Sequence, residues 1–443
     1  MTPLDCWAAK KIGMEQGPVK RELLNRYQQS RLSETIRLAA VNSPFYRRRL
    51  GKWADRGVDS LADIAALPFT TQEELRDQGA ELLCVSQSQI NRVVTLNTSG
   101  TAGEPKRLWF TSEDQALTVD FFRAGMSTLV GSGDKVMILL PGERLGSVGD
   151  LLAQALISIG VAAIPWGPVQ NLGDTLRIMH AEKVDSVVGI PVQVLALARY
   201  SLQCTQPSMK LKSVLLSTDY AASSLIREVE QVWDCKVFDH YGMTEMGLGG
   251  GVECEAHAGF HLREAELYFE IIDPDTGDLL PDGSEGEVVF STLTRRGMPL
   301  IRYRTGDLSR ILPEPCACGS VLKRLDRIGG RRDFTLQIPE GAEVRLTMMD
   351  EALFAVSGVI DYRMDIEDSQ ERVKIALTLL TVGAKTDVEA AVFKMLSTNS
   401  PIAAAWRSGQ VELTIQAAVC DGTLVPTPMK RAIRKVMGCY GKL

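Results

Sequence analysis

Apolar and polar residues follow two regular patterns through the middle of the chain. Short apolar runs predict strands at 135–141, 161–165, 186–189, 213–217 and 236–239. The stretches between them have helical spacing and predict helices at 149–157, 172–181, 193–200 and 222–232. Strands that alternate with helices in this way form β-α-β units, so we expect a mostly parallel sheet covered by helices.

The N-terminal region has a helical pattern with recognisable start signals. Apolar residues at helical spacing predict a long helix over residues 20–41. Ser60 is a predicted N-cap for a short helix over 61–67. Thr71 and Glu74 have the spacing of a capping box, in which each side chain bonds to the other's backbone, so another helix is expected there.

The pattern changes twice towards the C-terminus, and this predicts the domain organisation. Strands are predicted at 266–272 and 287–292, and after residue 331 a smaller unit follows with strands at 358–366, 372–381 and 410–418 and helices at 343–354 and 386–397. A length of 443 residues exceeds what one core usually serves. The predicted fold class is α/β: a large N-terminal domain (1–330) of mostly parallel sheets with helices and a small β-rich subdomain, a hinge (331–335), and a small, mobile α+β C-terminal domain (336–443).

Composition narrows the possible partners and location. The net charge of −6 gives no reason to expect nucleic acid or an anionic membrane as a partner. No signal peptide and no apolar run of about 18 residues is visible, so a soluble, cytoplasmic protein is expected. Nine cysteines, an odd number scattered along the chain, favour reduced thiols over a disulfide framework.

A loop rich in glycine and hydroxyl groups connects two strand-like runs at residues 97–106, Asn-Thr-Ser-Gly-Thr-Ala-Gly-Glu-Pro-Lys. Glycine allows backbone N–H groups to approach an anion closely, and the lysine adds a positive charge. The loop does not match the Walker pattern, because the Gly-Lys-Ser/Thr end is missing. By itself this stretch indicates either a phosphate-binding loop or an ordinary turn.

Two later stretches favour the phosphate-binding interpretation. Asp-His-Tyr-Gly-Met-Thr-Glu stands at 239–245, and Arg-Tyr-Arg-Thr-Gly-Asp stands at 302–307. The three stretches, in this order, resemble the signature motifs of the adenylate-forming enzymes, which include acyl-CoA synthetases, peptide-synthetase adenylation domains and luciferases. Phrases at 42–47, 67–71 and 299–304 resemble the branch of the phenylacetate–CoA ligases and their relatives, among them the bacterial acyl-protein synthetases.

This resemblance implies an activity with several partners. The expected reaction is ATP-dependent activation of a carboxylic acid to an acyl-adenylate, with release of pyrophosphate, followed by transfer to coenzyme A. The small, weakly charged stretches 142–149 and 242–243 suit an aromatic or other apolar acid. Two alternatives stay open: transfer to a protein or amine acceptor, and a degenerate relative that only binds nucleotide. A homodimer is one expectation for the assembly.

The resemblance also implies roles for residues in the large domain. Tyr241 stacks on adenine, with Gly242 and Met243 beside it. Thr244 touches the α-phosphate, and Glu245 holds Mg2+, which prefers carboxylate oxygen. The implied phosphate loop consists of Thr98, Ser99, Gly100, Thr101 and Gly103, with Lys106 nearby.

Further roles follow for the remaining nucleotide contacts. Asp307 is the ribose ligand, because a carboxylate can accept both hydroxyl protons. Arg331 reaches the nucleotide from the hinge, in which Asp333 absorbs the rotation between domains. Asp219 stands where relatives carry a Gly-Gly/Ala-Glu phrase beside adenine, so it takes over that polar role or adenine recognition is altered.

The C-terminal region departs from the family pattern in two places. Residues 338–344 replace the Arg-Gly-x-x-x-x-Pro stretch that meets the thiol acceptor in relatives, which puts coenzyme A in doubt but not adenylation. Lys430 matches the position of the adenylation lysine, although Met429 replaces the usual glycine. The expected catalytic residues are therefore Lys430, Thr244 and Glu245, with Lys442 as the rival lysine.

One further constellation indicates a metal without reference to any family. Cys254 and His257 form one close pair, and Cys316 and Cys318 form another. Two close ligand pairs brought together by the fold are how structural zinc sites are built, and Cys₃His is a usual set. We expect structural Zn2+ at these four residues, with His261 as an alternative to His257 and metal-free thiols as the alternative to zinc.

Overall fold

The computed structural model describes residues 2–14, 19–96, 105–204, 209–332, 335–338, 342–368, 373–382, 385–398, 402–420, 422–423, 425–426, 431 and 433–435. The α-helices are α1 (Pro3–Lys11), α2 (Arg21–Asn42), α3 (Pro44–Leu50), α4 (Gln72–Gln78), α5 (Ser112–Met126), α6 (Val148–Ile157), α7 (Leu172–Glu182), α8 (Pro191–Ser201), α9 (Ser223–Trp233), α10 (Leu346–Phe354), α11 (Lys385–Thr398) and α12 (Ala403–Arg407).

The strands up to the middle of the chain are β1 (Arg92–Leu96), β2 (Lys106–Phe110), β3 (Lys135–Ile138), β4 (Ala162–Pro165), β5 (Ser186–Gly189), β6 (Ser213–Leu216), β7 (Lys236–Tyr241), β8 (Gly251–Val252), β9 (Phe260–Leu262) and β10 (Leu267–Ile272). The later strands are β11 (Gly286–Thr292), β12 (Tyr303–Ser309), β13 (Ile311–Leu312), β14 (Arg324–Leu325), β15 (Gly330–Arg331), β16 (Thr335–Ile338), β17 (Ala342–Arg345), β18 (Val359–Asp368), β19 (Val373–Thr381), β20 (Val411–Val419) and β21 (Arg434–Lys435).

The predicted helix starts in the N-terminal region are confirmed. Thr71 accepts a hydrogen bond from the Glu74 backbone and Glu74 bonds back, which is the expected capping box. Ser60 begins its helix in the same way with Asp63, although the helix is a 3₁₀-helix that ends at Ala66. Short polar side chains at these positions satisfy backbone N–H groups that a first turn leaves without partners.

By its internal contacts the chain divides into two compact units. The first consists of 1–133, 142–162 and 238–328, and the second of 134–141, 163–237 and 329–443. The hinge predicted at 331–335 concerns movement between domains. A division by contacts does not measure movement, so the hinge stays a prediction.

The first unit is built on antiparallel strands. β10, β11 and β12 pair in order, and β7, β8, β9, β14 and β13 form a second antiparallel series. β1 pairs with β2, so that Leu96 lies opposite Lys106, and the glycine-rich stretch 97–105 stands between the two strands in the sequence. The core between these strands and the N-terminal helices contains buried aromatic and aliphatic side chains such as Phe45, Tyr46 and Phe290. This packing fixes the two motif segments 239–245 and 302–307.

The second unit contains the predicted parallel strands. β3, β5 and β6 pair in parallel, and every residue of β5 and β6 is buried. Such strands are covered on both faces, which is why their sequences are continuous apolar runs. The predicted β-α-β pattern of this region is therefore confirmed, with bounds that differ from the prediction by a few residues.

The C-terminal part of the second unit forms a mixed sheet in the order β20-β19-β18-β21. Its strands and α11 match the prediction closely. The helix predicted to begin at 343 begins at Leu346 instead, because residues 342–345 form β17 and pair with β16. Of the stretch 338–344, where the family pattern is lost, Ile338 ends β16 and residues 342–344 lie in β17, while 339–341 lie outside the described residues.

No helix in the described ranges combines the length and the apolar character that crossing a membrane requires.

Candidate active site

Lys106 and Glu245 form a buried ion pair in the first unit. Lys106 begins β2, and Glu245 lies in a short 3₁₀-helix just after β7. The Lys106 ammonium group contacts Glu245 Oε1, and the Tyr303 hydroxyl donates to the same oxygen at 3.1 Å. The pair lies in the interior, since the side chains are 12% and 5% exposed.

The surroundings of Glu245 keep its carboxylate ionised. Burial by itself raises the pKa of Glu245, but the Lys106 charge and the hydrogen bonds from Lys106 and Tyr303 outweigh it, and the pKa lies below its usual value. Arg295 donates to the Glu245 backbone carbonyl at 2.9 Å and lies over the Phe110 ring. Burial lowers the pKa of Arg295 to about 10. An ionised carboxylate is a type of ligand that Mg2+ prefers, and in this structure the Lys106 ammonium group occupies it.

Tyr241 and Asp307 meet although 66 residues separate them in the sequence. Tyr241 ends β7 and Asp307 lies within β12. The Tyr241 hydroxyl donates to Asp307 Oδ2 at 3.1 Å, and both residues are less than 10% exposed. The structure therefore brings the predicted adenine and ribose residues into contact, while their roles stay predictions.

The residues between Tyr241 and Glu245 make a tight turn. A Cβ atom on Gly242 would lie 2.4 Å from the Leu248 carbonyl oxygen, so only glycine fits there. Met243 is the N-cap of the 3₁₀-helix that begins at Thr244, and both side chains are partly exposed. Their placement is compatible with the predicted contacts to nucleotide and α-phosphate.

His240 is a partly buried imidazole next to this turn. Burial first, and the charge of Arg263 second, lower the pKa of His240 to about 4. Its ring lies 6.4 Å from the Phe122 ring, edge to face. The low pKa means that His240 is uncharged at neutral pH.

Two predicted nucleotide residues lie in the second unit. Asp219 follows β6, and its Oδ2 accepts hydrogen bonds from Arg431. Arg331 lies in β15, and its carbonyl accepts from the Thr335 hydroxyl at 3.1 Å.

Several predicted residues lie outside the described part of the chain. These are the phosphate-loop residues Thr98, Ser99, Gly100, Thr101 and Gly103, the hinge residue Asp333, and the two candidate lysines Lys430 and Lys442.

Sequence reasoning missed two residues that complete the Glu245 site. Tyr303 stands inside the 302–307 stretch, so its place in a motif was a usable signal. Arg295 belongs to a pair of arginines in a loop, and nothing in its sequence context distinguishes it from a surface residue. Its burial follows from its contacts with Glu245 and Phe110.

A candidate metal centre lies elsewhere in the first unit. One ligand atom from each of Cys254, His261, Cys316 and Cys318 lies within 4.8 Å of all the others. The sulfurs of Cys254 and Cys316 are 3.7 Å apart, and Cys318 Sγ lies 3.3 Å from His261 Nε2. Two sulfurs each about 2.3 Å from a tetrahedral zinc ion are separated by about 3.8 Å.

Burial and backbone N–H groups act in opposite directions on these thiols. Burial raises the pKa of Cys254 to about 12 and raises that of Cys318, although the Ser320 N–H bonds to Cys318. The Cys318 N–H bonds to Cys316, whose pKa lies below its usual value. Ala256 N–H lies 3.4 Å from the Cys254 sulfur. The ligand pair predicted from Cys254 and His257 requires a correction: the alternative histidine, His261 on β9, lies with the three sulfurs in place of His257. His257 instead lies 3.4 Å from Glu253 Oε2 and packs against the Phe238 ring.

Comparisons with known proteins agree with this geometry. The family described as "AMP-binding enzyme" matches residues 56–294. The phenylacetate-coenzyme A ligase of Thermus thermophilus is 30% identical over 352 residues, covering 77% of this chain and 78% of that protein. The corresponding ligase of Aromatoleum evansii is 31% identical over 339 residues, covering 74% and 75%.

Solved structures show the same fold. A 2-hydroxyisobutyryl-CoA ligase in the postadenylation state, in complex with 2-HIB-AMP, matches with a TM-score of 0.76 at 22% identity, over 93% of this chain and 89% of that one. The α/β fold class predicted from the sequence is confirmed by this likeness. The family match and the ligase relatives together show that the chain belongs to the AMP-binding enzyme family, within its phenylacetate–CoA ligase-like branch.

Proposed function

We propose that this protein uses ATP to convert a carboxylic acid into an acyl-adenylate and pyrophosphate, and then transfers the acyl group to coenzyme A. The observation that carries the proposal is the meeting of residues from three family motifs in one unit. Lys106 contacts Glu245, and Tyr241 contacts Asp307. The relatives named phenylacetate-coenzyme A ligases support the same reaction and make phenylacetate the first acid to test.

In this proposal the protein works by positioning and by offsetting charge. Tyr241 and Asp307 hold the nucleoside, the first by stacking on adenine and the second by accepting the ribose hydroxyl protons. Thr244 touches the α-phosphate, at which the acid attacks. Mg2+ held by Glu245 would offset the negative charge of the phosphates. Lys106 neutralises Glu245 in this structure, so Glu245 would hold the metal only after the Lys106 ammonium group has left the carboxylate.

Lys430 is the proposed source of positive charge where negative charge develops during attack on the α-phosphate. An interaction made mainly in the transition state raises the rate without tightening substrate binding. Lys430→Ala should therefore lose adenylate formation by orders of magnitude with little change in ATP affinity, and Lys442→Ala is its matched comparison. Normal exchange in Lys430→Ala together with loss in Lys442→Ala would transfer the role to Lys442.

The decisive experiment separates the two half-reactions. ATP–pyrophosphate exchange is measured with Mg2+ over a panel of aryl and alkyl acids that begins with phenylacetate, with Glu245→Gln as the inactive comparison. An acid that supports exchange is then tested for thioester formation with coenzyme A. Acid-dependent exchange that Glu245→Gln lacks supports adenylation. Its absence for every acid would favour a protein that only binds nucleotide.

The altered stretch at 338–344 favours a second candidate for the acceptor. In relatives the corresponding stretch meets the thiol, whereas here Ile338 and residues 342–344 lie in the paired strands β16 and β17. A protein or amine acceptor is therefore the alternative, and it is supported if wild-type enzyme forms adenylate readily while coenzyme A never accelerates turnover.

Three further expectations stay predictions: a cytoplasmic location, the absence of nucleic-acid and membrane partners, and a homodimer.

We also propose that Cys254, His261, Cys316 and Cys318 bind one structural Zn2+. Four protein ligands leave no open position, so zinc would stabilise the fold rather than take part in the reaction. The ligands come from the segments after β8, on β9 and after β13, which a metal would tie together. Its binding free energy would then add to the free energy of unfolding.

The two neighbouring histidines provide a matched test of this zinc site. Elemental analysis of protein purified without added metal should find about one zinc per chain in wild type and in His257→Ala. His261→Ala and Cys316→Ser should lose the metal and unfold at a lower temperature. The proposal is contradicted if wild-type protein contains no zinc and treatment with a chelator leaves its unfolding temperature unchanged.

A further inference from the structure

Residues 243–249 form a turn, called here the motif turn, in which N–H groups bond to carbonyl groups of the same turn. The Gly247 N–H donates to the Thr244 carbonyl at 3.0 Å, and the Leu248 N–H donates to the Met243 carbonyl at 2.9 Å. Gly247 and Leu248 both have left-handed backbone conformations, with φ +73° and +69°. This conformation is unfavourable for leucine, so the surroundings must hold the turn in place.

Two buried side chains bond to carbonyl groups of the motif turn. Arg295 donates to the Glu245 carbonyl at 2.9 Å, and the Thr118 hydroxyl donates to the Gly247 carbonyl at 3.0 Å. Both approach the turn closely: a Cβ atom on Gly247 would lie 3.1 Å from Arg295 Nη2 and 3.2 Å from the Thr118 hydroxyl oxygen. A side chain on residue 247 would therefore displace one of these two donors, which accounts for glycine at this position.

Arg263 is a third donor to the motif turn. Its Nη1 lies 3.3 Å from the Gly249 carbonyl oxygen, and its Nη2 donates to the Leu117 carbonyl at 2.8 Å. Its Nε donates to Glu266 at 2.7 Å, and the guanidinium lies over the Phe121 ring. Since Leu117 and Phe121 belong to α5, Arg263 ties the motif turn to that helix.

The three donors are almost completely removed from water. Arg295, Arg263 and Thr118 are 6%, 3% and 2% exposed. Burying a guanidinium group is unfavourable unless hydrogen bonds and charges compensate, so two of them add little to the net stability of the fold. What such buried contacts provide is one defined geometry, and here that geometry is the position of the motif turn.

Arg295 bonds to the backbone of Glu245, whereas Lys106 and Tyr303 contact its carboxylate. In the proposed function Lys106 leaves the carboxylate when Glu245 holds Mg2+. The bond from Arg295 does not depend on which cation the carboxylate binds. Arg295 therefore keeps Glu245 in place while the partner of its side chain changes.

We propose that Arg295, Arg263 and Thr118 are positioning residues that hold Thr244 and Glu245 for adenylate formation. This inference rests on the proposed function, in which Thr244 touches the α-phosphate and Glu245 holds Mg2+. Orientation of reacting groups contributes a large share of catalysis, and a misplacement of about 1 Å can cost about 100-fold in rate. All three positioning residues stand outside the family motifs of the sequence.

The test separates the position of the motif turn from the general stability of the fold. Arg295→Met removes the guanidinium donor, and Arg295→Lys restores a cationic donor. Thr118→Val removes the hydroxyl group and keeps the shape of the side chain. Ser33→Ala is the matched control, because the Ser33 hydroxyl is buried in the same unit and donates to the Val58 carbonyl at 3.1 Å.

Three quantities are measured for each variant, with an acid that supports pyrophosphate exchange. The first is kcat for exchange, together with KM for ATP. The second is the Mg2+ concentration that gives half of the maximal rate. The third is the affinity for adenosine by isothermal titration, which reports on Tyr241 and Asp307 because adenosine has no phosphates. Thermal unfolding shows whether each variant is folded.

The expected result is a loss confined to the reaction and its metal. Arg295→Met should lower kcat by about 10- to 100-fold and raise the half-maximal Mg2+ concentration by about tenfold, because Glu245 is misplaced. Arg295→Lys should recover most of this loss. Thr118→Val should lower kcat by about three- to tenfold, as expected for one hydrogen bond. Adenosine affinity should stay within about twofold throughout, and Ser33→Ala should match wild type.

Other outcomes overturn the inference. Unchanged kcat and Mg2+ dependence in Arg295→Met and Thr118→Val would refute it. An equal loss of adenosine affinity, or an equal loss of kcat in Ser33→Ala, would indicate a merely structural role. If Arg295→Met does not fold, Thr118→Val decides, and wild-type kinetics in that variant refute the inference. A wild type without exchange for any acid would refute the proposed function itself, whereas wild-type exchange with unaffected variants refutes this inference alone.

Discussion

Lys106 and Glu245 are an ion pair that is well enough buried for desolvation to matter. Taking two charges out of water is unfavourable, and their attraction offsets that cost only while both are present. Removal of one partner leaves a charge in the interior, which is more destabilising than the pair is stabilising. The Tyr303 hydroxyl compensates only in part, since it provides a single neutral hydrogen bond.

Lys106→Met should therefore lower the stability of the protein by about 3 kcal/mol at pH 8. The pKa of Glu245 is lowered in the folded wild type, so that Glu245 contributes stability above its unfolded pKa which is lost as the pH falls. Without Lys106, its charge no longer opposes the effect of burial, so the pKa of folded Glu245 rises. The pH dependence is then reversed: Glu245 destabilises the variant at high pH, and this effect is lost as the pH falls. Thermal unfolding between pH 5 and 8 should show the difference between variant and wild type shrinking towards pH 5.

The control is Lys106→Met combined with Glu245→Gln, which removes both charges and should recover most of the lost stability. A Lys106→Met protein as stable as wild type at pH 8 would mean that the ion pair is not formed in solution.

Asp307 permits a test of ribose recognition at the level of single hydroxyl groups. Charge-assisted hydrogen bonds contribute about 1.5–3 kcal/mol, so Asp307→Asn should weaken ATP binding by about tenfold or more. An analogue that lacks the 2′- and 3′-hydroxyls should bind wild type and variant equally. Isothermal titration with both nucleotides measures this. Equal weakening for both would show that Asp307 acts through Tyr241 and not on the ribose.

The sequence predicted which residues belong to the site where a family motif contains them. It did not predict which of these residues contact each other. The sequence indicates Tyr241, Glu245 and Asp307 individually, but the contact between Lys106 and Glu245 spans 139 residues and depends on how β1 and β2 pack. The choice between His257 and His261 has a similar cause. Spacing favoured His257, whereas the pairing of β9 with β14 brings His261 to the sulfurs.

Among the secondary-structure elements, the sequence predicted best the features that depend only on neighbouring residues. The capping box of Thr71 and Glu74 follows from four consecutive residues and is observed as expected. The start of α10 was predicted three residues too early, because residues 342–345 form β17 and pair with β16, and the sequence between the two strands carries no strong hairpin signal. Apolar periodicity alone does not separate the end of a short strand from the first turn of a helix.

Asp350 on α10 gives a prediction about pH at this scale. Burial raises the pKa of Asp350 to about 6, with Arg431 opposing the shift, Asp219 adding to it and the Tyr362 hydrogen bond opposing it. A raised folded pKa means that the stability contributed by Asp350 is present below about pH 4 and is lost as the pH rises through 6. Asp350→Asn cannot titrate, so its stability relative to wild type should rise by about 3 kcal/mol between pH 4 and 7.

Thermal unfolding of wild type and Asp350→Asn across that range measures this difference, and other carboxylates cancel because both proteins contain them. Asp387→Asn is the control, since Asp387 is exposed on α11. A difference that stays constant from pH 4 to 7 would indicate that Arg431 keeps Asp350 ionised throughout.

For the whole molecule, the sequence predicted the order of the parallel, antiparallel and α+β regions along the chain. It did not predict which of these regions belong to the same compact unit. The parallel strands, the antiparallel region and the C-terminal α+β part all lie where their patterns indicate. By contacts, however, residues 329–443 group with 163–237, and the N-terminal 133 residues group with 238–328. Which segments pack together depends on contacts between side chains far apart in the sequence, such as Arg431 and Asp219. Hydrophobic periodicity does not predict such contacts.

The last prediction concerns movement between the two half-reactions and rests on Asp333, which lies outside the described residues. If thioester formation requires rotation about this residue, a proline there should hinder it, because the ring fixes φ near −65°. Asp333→Pro should retain pyrophosphate exchange and lose transfer to the acceptor, whereas Asp333→Ala, which leaves φ free, should retain both. Full thioester formation by Asp333→Pro would place the hinge elsewhere, and loss of transfer in both Asp333 variants would point to the carboxylate itself.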